Sequence, residues 1–339
     1  MTSQPKIPTM KTAYVHKNGD ATTSDVVSVV DVPIPEPKKG QVLVKVHAAS
    51  INPVDWKMAE GLFPGLKEGA LGCDVSGSVS KIGPETETTL KVGDQVYGDI
   101  IETKGAFGEY ALASHSVLAK KPSNISMEQA AALPLAGLTA WQGLMTYGKM
   151  KEGDKVLIFG GSGGVGSLAI QIAKAMKASE VYATGSDQDL IQRFGADHVV
   201  NYKQECLMDA LKGKNFDVVF DTIGGQEHWK VAQASMKSSG QFVTTVGDGN
   251  NLSVTMVQSF WRKFCSVFGA SNYNIFLTNT TAPVVSRDME VLSEMVEKGY
   301  VQPVLDETRQ YELTNNGIHD LIRASKSHRA KGKLILKVN

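Results

Sequence analysis

A chain of 339 residues, 42% apolar and 21% charged, has the composition of a folded globular protein and, at roughly 150 residues per domain, the length of two domains. Its 35 basic residues cancel its 35 acidic ones, which leaves no net field to draw it onto nucleic acid or an anionic membrane. No run of about 18 apolar residues is present to span a bilayer, and three widely spaced cysteines, Cys73, Cys206 and Cys265, make neither a disulfide framework nor a CxxC metal knuckle. Met1 to Lys11 has neither the apolar core of a secretory signal nor the Arg-rich pattern of a transit peptide, so the expected compartment is reducing and cytoplasmic.

The first third reads as β structure. A Pro-rich turn, Pro33 to Gly40, precedes Val42, Val44, Val46 and Ala48, which alternate with Leu43, Lys45 and His47 as in a strand with one buried face. Val75 to Ile82 is a second strand, and Lys91 to Tyr97 is a turn feeding another. Short strands punctuated by Gly and Pro predict a compact antiparallel barrel or sandwich. From Met127 to Tyr147 the spacing becomes helical, with Ser126 as cap. Four β runs then follow: Val156 to Phe159, Val181 to Thr184, Asp217 to Asp221 and Gln241 to Val246. Between the first two lies a helix over Val165 to Lys177, with Leu168, Ile172 and Met176 on one stripe. This alternation predicts a parallel sheet with helices on both faces. After about residue 275 come helices over Arg287 to Glu297 and Gly317 to Ser325 and a last β run, Leu334 to Val338. The reading is an α/β chain in which a dinucleotide-binding domain (residues 127–274) is inserted into a β-rich domain (1–126 and 275–339).

The segment Gly160-Gly161-Ser162-Gly163-Gly164-Val165-Gly166 carries the chemistry. Gly161, Gly163 and Gly166 satisfy GxGxxG, and the run follows a buried strand and opens an amphipathic helix, which is the context the pattern needs. Glycine lets the backbone approach a pyrophosphate closely. The backbone of Gly163, Gly164 and Val165 would meet the phosphates with free N–H groups and the positive end of the helix dipole. At the second strand, Thr184-Gly185-Ser186-Asp187 puts small polar residues where a carboxylate usually meets the ribose 2′-hydroxyl. Gly185 and Ser186 leave room for a 2′-phosphate, and Tyr202 and Lys203 would close over it; Asp187, one step on, argues the other way. NADPH is favoured over NADH. Thr184, Ser186 and Tyr202 are expected to frame the adenosine end.

Several segments together resemble the medium-chain dehydrogenase/reductase superfamily: Ala49 to Lys57, Leu71 to Gly77, Gly105 to Tyr110, Leu133 to Ala140, the glycine loop and the tail Gly332 to Leu336. Within it the chain resembles the zinc-independent quinone oxidoreductases and the alkenal or enone reductases. The resemblance covers nearly the whole chain in order. It implies a GroES-like catalytic domain with an inserted Rossmann domain, and a homodimer through the latter. Zinc-containing members carry Cys near Asn52, His near Cys73 and a further Cys or His near Leu135. This chain offers one thiol there, so no metal is expected.

The expected activity is NADPH-dependent hydride transfer to a small quinone or α,β-unsaturated carbonyl. Such an acceptor spreads the developing charge and needs no Lewis acid. The resemblance places Lys57 beside the nicotinamide ribose, where its ammonium would also steady an oxyanion; the plain alternative is a surface lysine after a buried Trp56. Asn52 would hydrogen-bond the substrate or nicotinamide, or serve only as the turn residue before Pro53. Thr139 would touch the nicotinamide amide, or bond the preceding helical turn. Val246 and Gly247 are expected near the nicotinamide, and Phe268, Gly269 and Ala270 resemble the segment that closes over it. Trp56, Phe63, Phe107 and Tyr147 are either pocket walls or ordinary core. Two other functions compete: an enoyl-thioester reductase, which would want a basic patch for its carrier, and a non-catalytic NADPH-binding sensor or RNA-binding module, which would want interleaved basic and aromatic residues. Neither pattern is present, and no nucleic-acid partner is expected.

Overall fold

The computed structural model describes residues 7–246 and 272–338. The chain forms two compact units, one of Met1–Leu135, Thr280–Glu297 and Pro303–Asn339, the other of Ala136–Asn279 and Lys298–Gln302.

The first unit is β-rich. Its strands are β1 (Thr9–Val15), β2 (Val27–Pro33), β3 (Gln41–Ser50), β4 (Gly69–Ala70), β5 (Asp74–Ile82), β6 (Gln95–Asp99), β7 (Tyr110–Ser114) and β8 (Leu118–Lys120). Two late strands of this unit, Tyr311–Glu312 and Ile335–Lys337, join the larger sheet beside β3. The alternation expected in β3 is present, with Val42, Val44 and Val46 buried and Lys45 exposed; Leu43 and Ala49 are buried as well, because β3 carries partners along its whole length. Antiparallel pairing sets Ser50 opposite Asp74 and Asp74 opposite Asp99, which stacks polar residues at one end of the sheet. Helix α1 (Pro53–Ala59) leaves β3 at Asn52, with Pro at its first position and Asp55 accepting the Asn52 N–H at 2.7 Å.

Helix α2 (Met127–Ala131) is capped by Ser126 and Gln129, as the sequence suggests. The long helix expected over Met127 to Tyr147 is broken: α3 (Pro134–Trp141) begins anew at a proline, which has no N–H to continue α2, and a π-helical turn, Gln142–Tyr147, follows. Ala131 and Ala132 pack with Ala48 and Ile335 in the first unit, so the boundary falls at Leu135 rather than before Met127.

The second unit alternates β9 (Lys155–Phe159), α4 (Gly164–Ala175), β10 (Glu180–Thr184), α5 (Gln188–Arg193), β11 (His198–Val200), α6 (Leu207–Leu211), β12 (Phe216–Asp221), α7 (Gln226–Ser235), β13 (Met236–Thr244) and β14 (Asn272–Ile275). Its sheet runs β11-β10-β9-β12-β13-β14, all parallel. The order reverses between β9 and β12, and in such sheets the ligand crevice lies outside the carboxyl ends at that reversal. Leu157, Phe159, Phe216, Val219, Trp229 and Phe242 form the core beneath it. The late helices α8 (Val284–Glu297) and α9 (Asn315–Lys326) return to the first unit. Among the described residues no helix is long and apolar enough to cross a membrane.

Candidate cofactor and catalytic sites

In the second unit, the loop from β9 to α4 shows why each glycine is present. Gly160 has φ +84°, and a Cβ on Gly166 would lie 2.1 Å from the Gly160 carbonyl oxygen, so this chain's own packing requires both. Gly163 differs. Its φ of −78° suits any residue, and a Cβ there would meet nothing closer than the Gly160 oxygen at 3.5 Å. The fold leaves room at Gly163 that the protein does not fill, immediately ahead of the α4 first turn, whose N–H groups have no carbonyl behind them. A loop of this geometry could hold a pyrophosphate.

The strand ends beside the loop fall into two groups. Thr184 is buried and braces the loop: its Oγ1 accepts the Gly160 N–H at 3.2 Å and its carbonyl the Gly161 N–H at 2.8 Å. Its hydroxyl serves the loop as an acceptor and keeps its own O–H to donate. Asp187 caps α5, accepting the Leu190 N–H at 3.2 Å. Ser186 and Lys203, by contrast, are exposed, and the Gly185 N–H bonded to the Val200 carbonyl at 3.1 Å brings the ends of β10 and β11 side by side. Tyr202, Ile223 and Val246 follow β11, β12 and β13 at 53%, 56% and 37% exposure, an apolar row at the carboxyl edge of the sheet. Sequence reasoning missed Ile223; the signal was its place directly after the strand at the reversal. Thr139 is buried and bonds the Thr278 hydroxyl at 2.6 Å within this unit. Tyr147 stacks on Phe276 at 4.4 Å between centroids, and in the first unit Phe107 is fully buried core. Gly247, Phe268, Gly269 and Ala270 lie outside the described residues.

In the first unit, α1 presents two lysine environments on one indole. The ammonium groups of Lys57 and Lys326 each lie 5.6 Å from the Trp56 ring centroid, and Trp56 Nε1 donates to Ser325 Oγ at 3.2 Å. Lys326 is neutralised by Glu60, with Asp20 at 3.9 Å. Lys57 is half-buried, and among the described residues no carboxylate or hydrogen-bond acceptor meets it. Desolvation alone draws its pKa below the ordinary lysine value. A desolvated, unpaired ammonium is costly to keep and marks a site where an anion or hydroxyl is expected.

Beneath α1 lies a cluster in which Asp55, Asp74 and Asp99 are essentially unexposed, together with Cys73, and Lys333 is the cation among them. One ammonium balances one carboxylate, so the other two acids are favoured as neutral groups. Burial first, then the charge of Asp74, pushes Asp55 up to about 7 against the opposing Asn52 N–H bond, and raises Asp99 well above the carboxylate range. Burial also raises the Cys73 thiol. Asp55 Oδ1 and Asp99 Oδ2 are buried with no partner among the described residues, which adds to the cost of ionising either acid. The folded protein thus holds protons that the unfolded chain releases near pH 4. Stability should fall as pH rises from about 4 to about 7. Asp55→Asn, which keeps the acceptor for the Asn52 N–H, should flatten that fall in urea titrations; an unchanged slope would exclude Asp55 as its source.

Known proteins match this arrangement along its length. Residues 38–123 match the alcohol dehydrogenase GroES-like domain and residues 164–288 the family described as zinc-binding dehydrogenase. A 2-methylene-furan-3-one reductase of Solanum lycopersicum is 34% identical over 320 residues, 90% of this chain and 74% of the relative. An NADPH-dependent alkenal/one oxidoreductase, chloroplastic, of Arabidopsis thaliana is 32% identical over 350 residues, 99% of this chain and 82% of the relative. The quinone oxidoreductase of Coxiella burnetii superposes with a TM-score of 0.82 at 28% identity, over 98% of this chain and 100% of that one.

The chain belongs to the medium-chain dehydrogenase/reductase superfamily.

Its place there is with the quinone oxidoreductases and alkenal or enone reductases, and it is an oxidoreductase. The GroES-like domain and the Rossmann domain of this superfamily are the two units described above. The residues standing where zinc-containing members hold their metal do not fit one. Lys333 Nζ already occupies that ground, donating to Asn52 Oδ1 at 2.6 Å and to the Ile51 carbonyl at 3.2 Å, and a metal would meet its charge. Among the described residues no group of three or more His, Cys, Asp or Glu is arranged to hold a metal ion.

Proposed function

We propose that this oxidoreductase uses NADPH to reduce quinones or α,β-unsaturated carbonyls without a metal. The observation that carries the proposal is Lys57, a half-buried ammonium over an indole face that no carboxylate or hydrogen-bond acceptor meets among the described residues. When bound, the reduced nicotinamide supplies the hydride. Addition at the β-carbon of an enone moves an electron pair onto the carbonyl oxygen, and the Lys57 ammonium stabilises that oxyanion or holds the cofactor hydroxyls. The cradle at Gly163 takes the pyrophosphate through the N–H groups of Gly164 and Val165. Ser186, Tyr202 and Lys203 supply two hydroxyls and a cation for a 2′-phosphate, while Asp187 turns its carboxylate to the α5 N-terminus. The name of the Arabidopsis relative states the same cofactor.

The test of the activity is direct. Purified protein mixed with NADPH and a panel of naphthoquinone, phenanthrenequinone, short alkenals and enones should consume the reduced nicotinamide with at least one member; no consumption across the panel removes the proposal. Ser186→Asp places a carboxylate at the phosphate position and should weaken NADPH roughly 10- to 100-fold while changing NADH about twofold or less. An unchanged preference would mean that the 2′-phosphate is read elsewhere.

Two features support the remaining expectations. Cys73 and Cys206 are free thiols, which suits a reducing compartment such as the cytoplasm. Among the described residues strand β14 has one partner, β13, and Ile275 and Leu277 are exposed, which suits a homodimer through a second copy of the chain. Light scattering should return the dimer mass, and a monomer would refute the inference.

A further inference from the structure

The Asn52 carboxamide is gripped from both sides. Lys333 Nζ donates to its Oδ1 at 2.6 Å, and its Nδ2 donates to Asp74 Oδ2 at 2.8 Å. Asp74 Oδ2 also accepts the Ser50 hydroxyl at 2.9 Å, and Asp74 Oδ1 accepts the Leu135 N–H at 2.9 Å. Lys333 and Asp74 are themselves 3.5 Å apart, and Asn52, Asp74 and Lys333 are all buried. An ammonium has only donors and a carboxylate only acceptors. Turning the amide over would set NH₂ against NH₃⁺ and C=O against COO⁻, two repulsive contacts with little water to screen them.

We propose that Lys333 and Asp74 are positioning residues that lock the Asn52 amide in one orientation, so that it faces a ligand as a hydrogen-bond donor and never as an acceptor. The lock uses Oδ1 and one Nδ2–H. The second Nδ2–H has no partner among the described residues and suits a carbonyl or enolate oxygen of the acceptor. That ligand assignment rests on the reduction proposed above, whereas the lock itself rests only on the contacts just described.

A double-mutant cycle with an amide readout tests both parts. Asn52→Ala and Lys333→Met should each lower kcat with an enone about 10-fold, with KM for NADPH within about twofold. The double variant should lose no more than Asn52→Ala alone, because Lys333 acts through Asn52. Losses that multiply would reduce Lys333 to a support of the fold. The second readout needs no activity. In ¹⁵N–¹H spectra the Asn52 side-chain NH₂ pair, identified by its loss in Asn52→Ala, should be a single set in the wild type and should shift in Lys333→Met. A pair that does not move overturns the lock. If Lys333→Met fails to fold, Lys333→Gln replaces it: Asp74 still holds the Nδ2 side, so one displaced NH₂ pair is expected and an unmoved pair overturns the lock. A wild type that reduces no carbonyl compound would remove the ligand assignment and the proposed function, and the spectra would still decide the orientation.

Discussion

Lys57→Met should lower kcat about 100-fold with every quinone or enone the wild type reduces, with a melting temperature within a few degrees of wild type. Both halves follow from the surroundings of Lys57. Methionine keeps most of the aliphatic stem against Trp56, so packing is retained. Among the described residues Lys57 has no ion pair, so its loss leaves no carboxylate stranded, and removing a desolvated charge costs the folded state nothing electrostatically. What disappears is the cation that stabilises the oxyanion or holds the cofactor hydroxyls. Lys326 does not substitute, since Glu60 holds its ammonium. Stopped-flow absorbance at the reduced-nicotinamide band checks the prediction; wild-type rates in Lys57→Met would end the assignment.

Gly163→Val should raise the Kd for NADPH about 100-fold, or about 2.7 kcal/mol, and leave stability in place. The position is sterically open and its backbone is extended, so the free protein has no quarrel with a side chain there. A bound pyrophosphate does, because valine fills the space through which the N–H groups of Gly164 and Val165 are reached. Gly166→Ala makes the opposite control. Its methyl would collide with the Gly160 carbonyl at 2.1 Å, so it should destabilise the free protein by about 2 kcal/mol or more, before any ligand is added. Calorimetric titration with NADPH and thermal unfolding of the free proteins separate the two. A Gly163→Val protein that binds NADPH as tightly as wild type would show that the cradle is not where the phosphates sit.

Local patterns carried most of the fold. The β3 alternation, the buried run at β9, the glycine loop and the stripe on α4 are signals that a window of a dozen residues contains, and each element formed where expected. Pro134 was a visible break inside the helical run from Met127, and Ala131 and Ala132 join the first unit because they pack on Ala48 and Ile335, partners remote in sequence. Strand β14, Asn-Tyr-Asn-Ile, had no apolar run to announce it, and its identity comes from pairing with β13. The site divides in the same way. The glycine loop proposed to hold the phosphates was legible because it is one continuous segment. Lys57 was marked by resemblance, and its lack of a partner among the described residues emerges only in three dimensions. The Asn52 lock joins residues 259 positions apart through Asp74 and Lys333, and the Asp74–Asp99 pair depends on strand register. The bond from the Gly160 N–H to the Thr184 hydroxyl also depends on the fold and could not be read from the strand alone.

In the proposed reaction a hydride passes from NADPH directly to the carbon skeleton of a conjugated carbonyl compound. NADPH carrying deuterium at both C4 positions, incubated with the protein, an enone and a metal chelator, tests it in one experiment. The expected product is a saturated ketone with one deuterium at the β-carbon, formed at a rate unaffected by the chelator. Product labelled at the carbonyl carbon, as in an alcohol, or activity abolished by the chelator would contradict it.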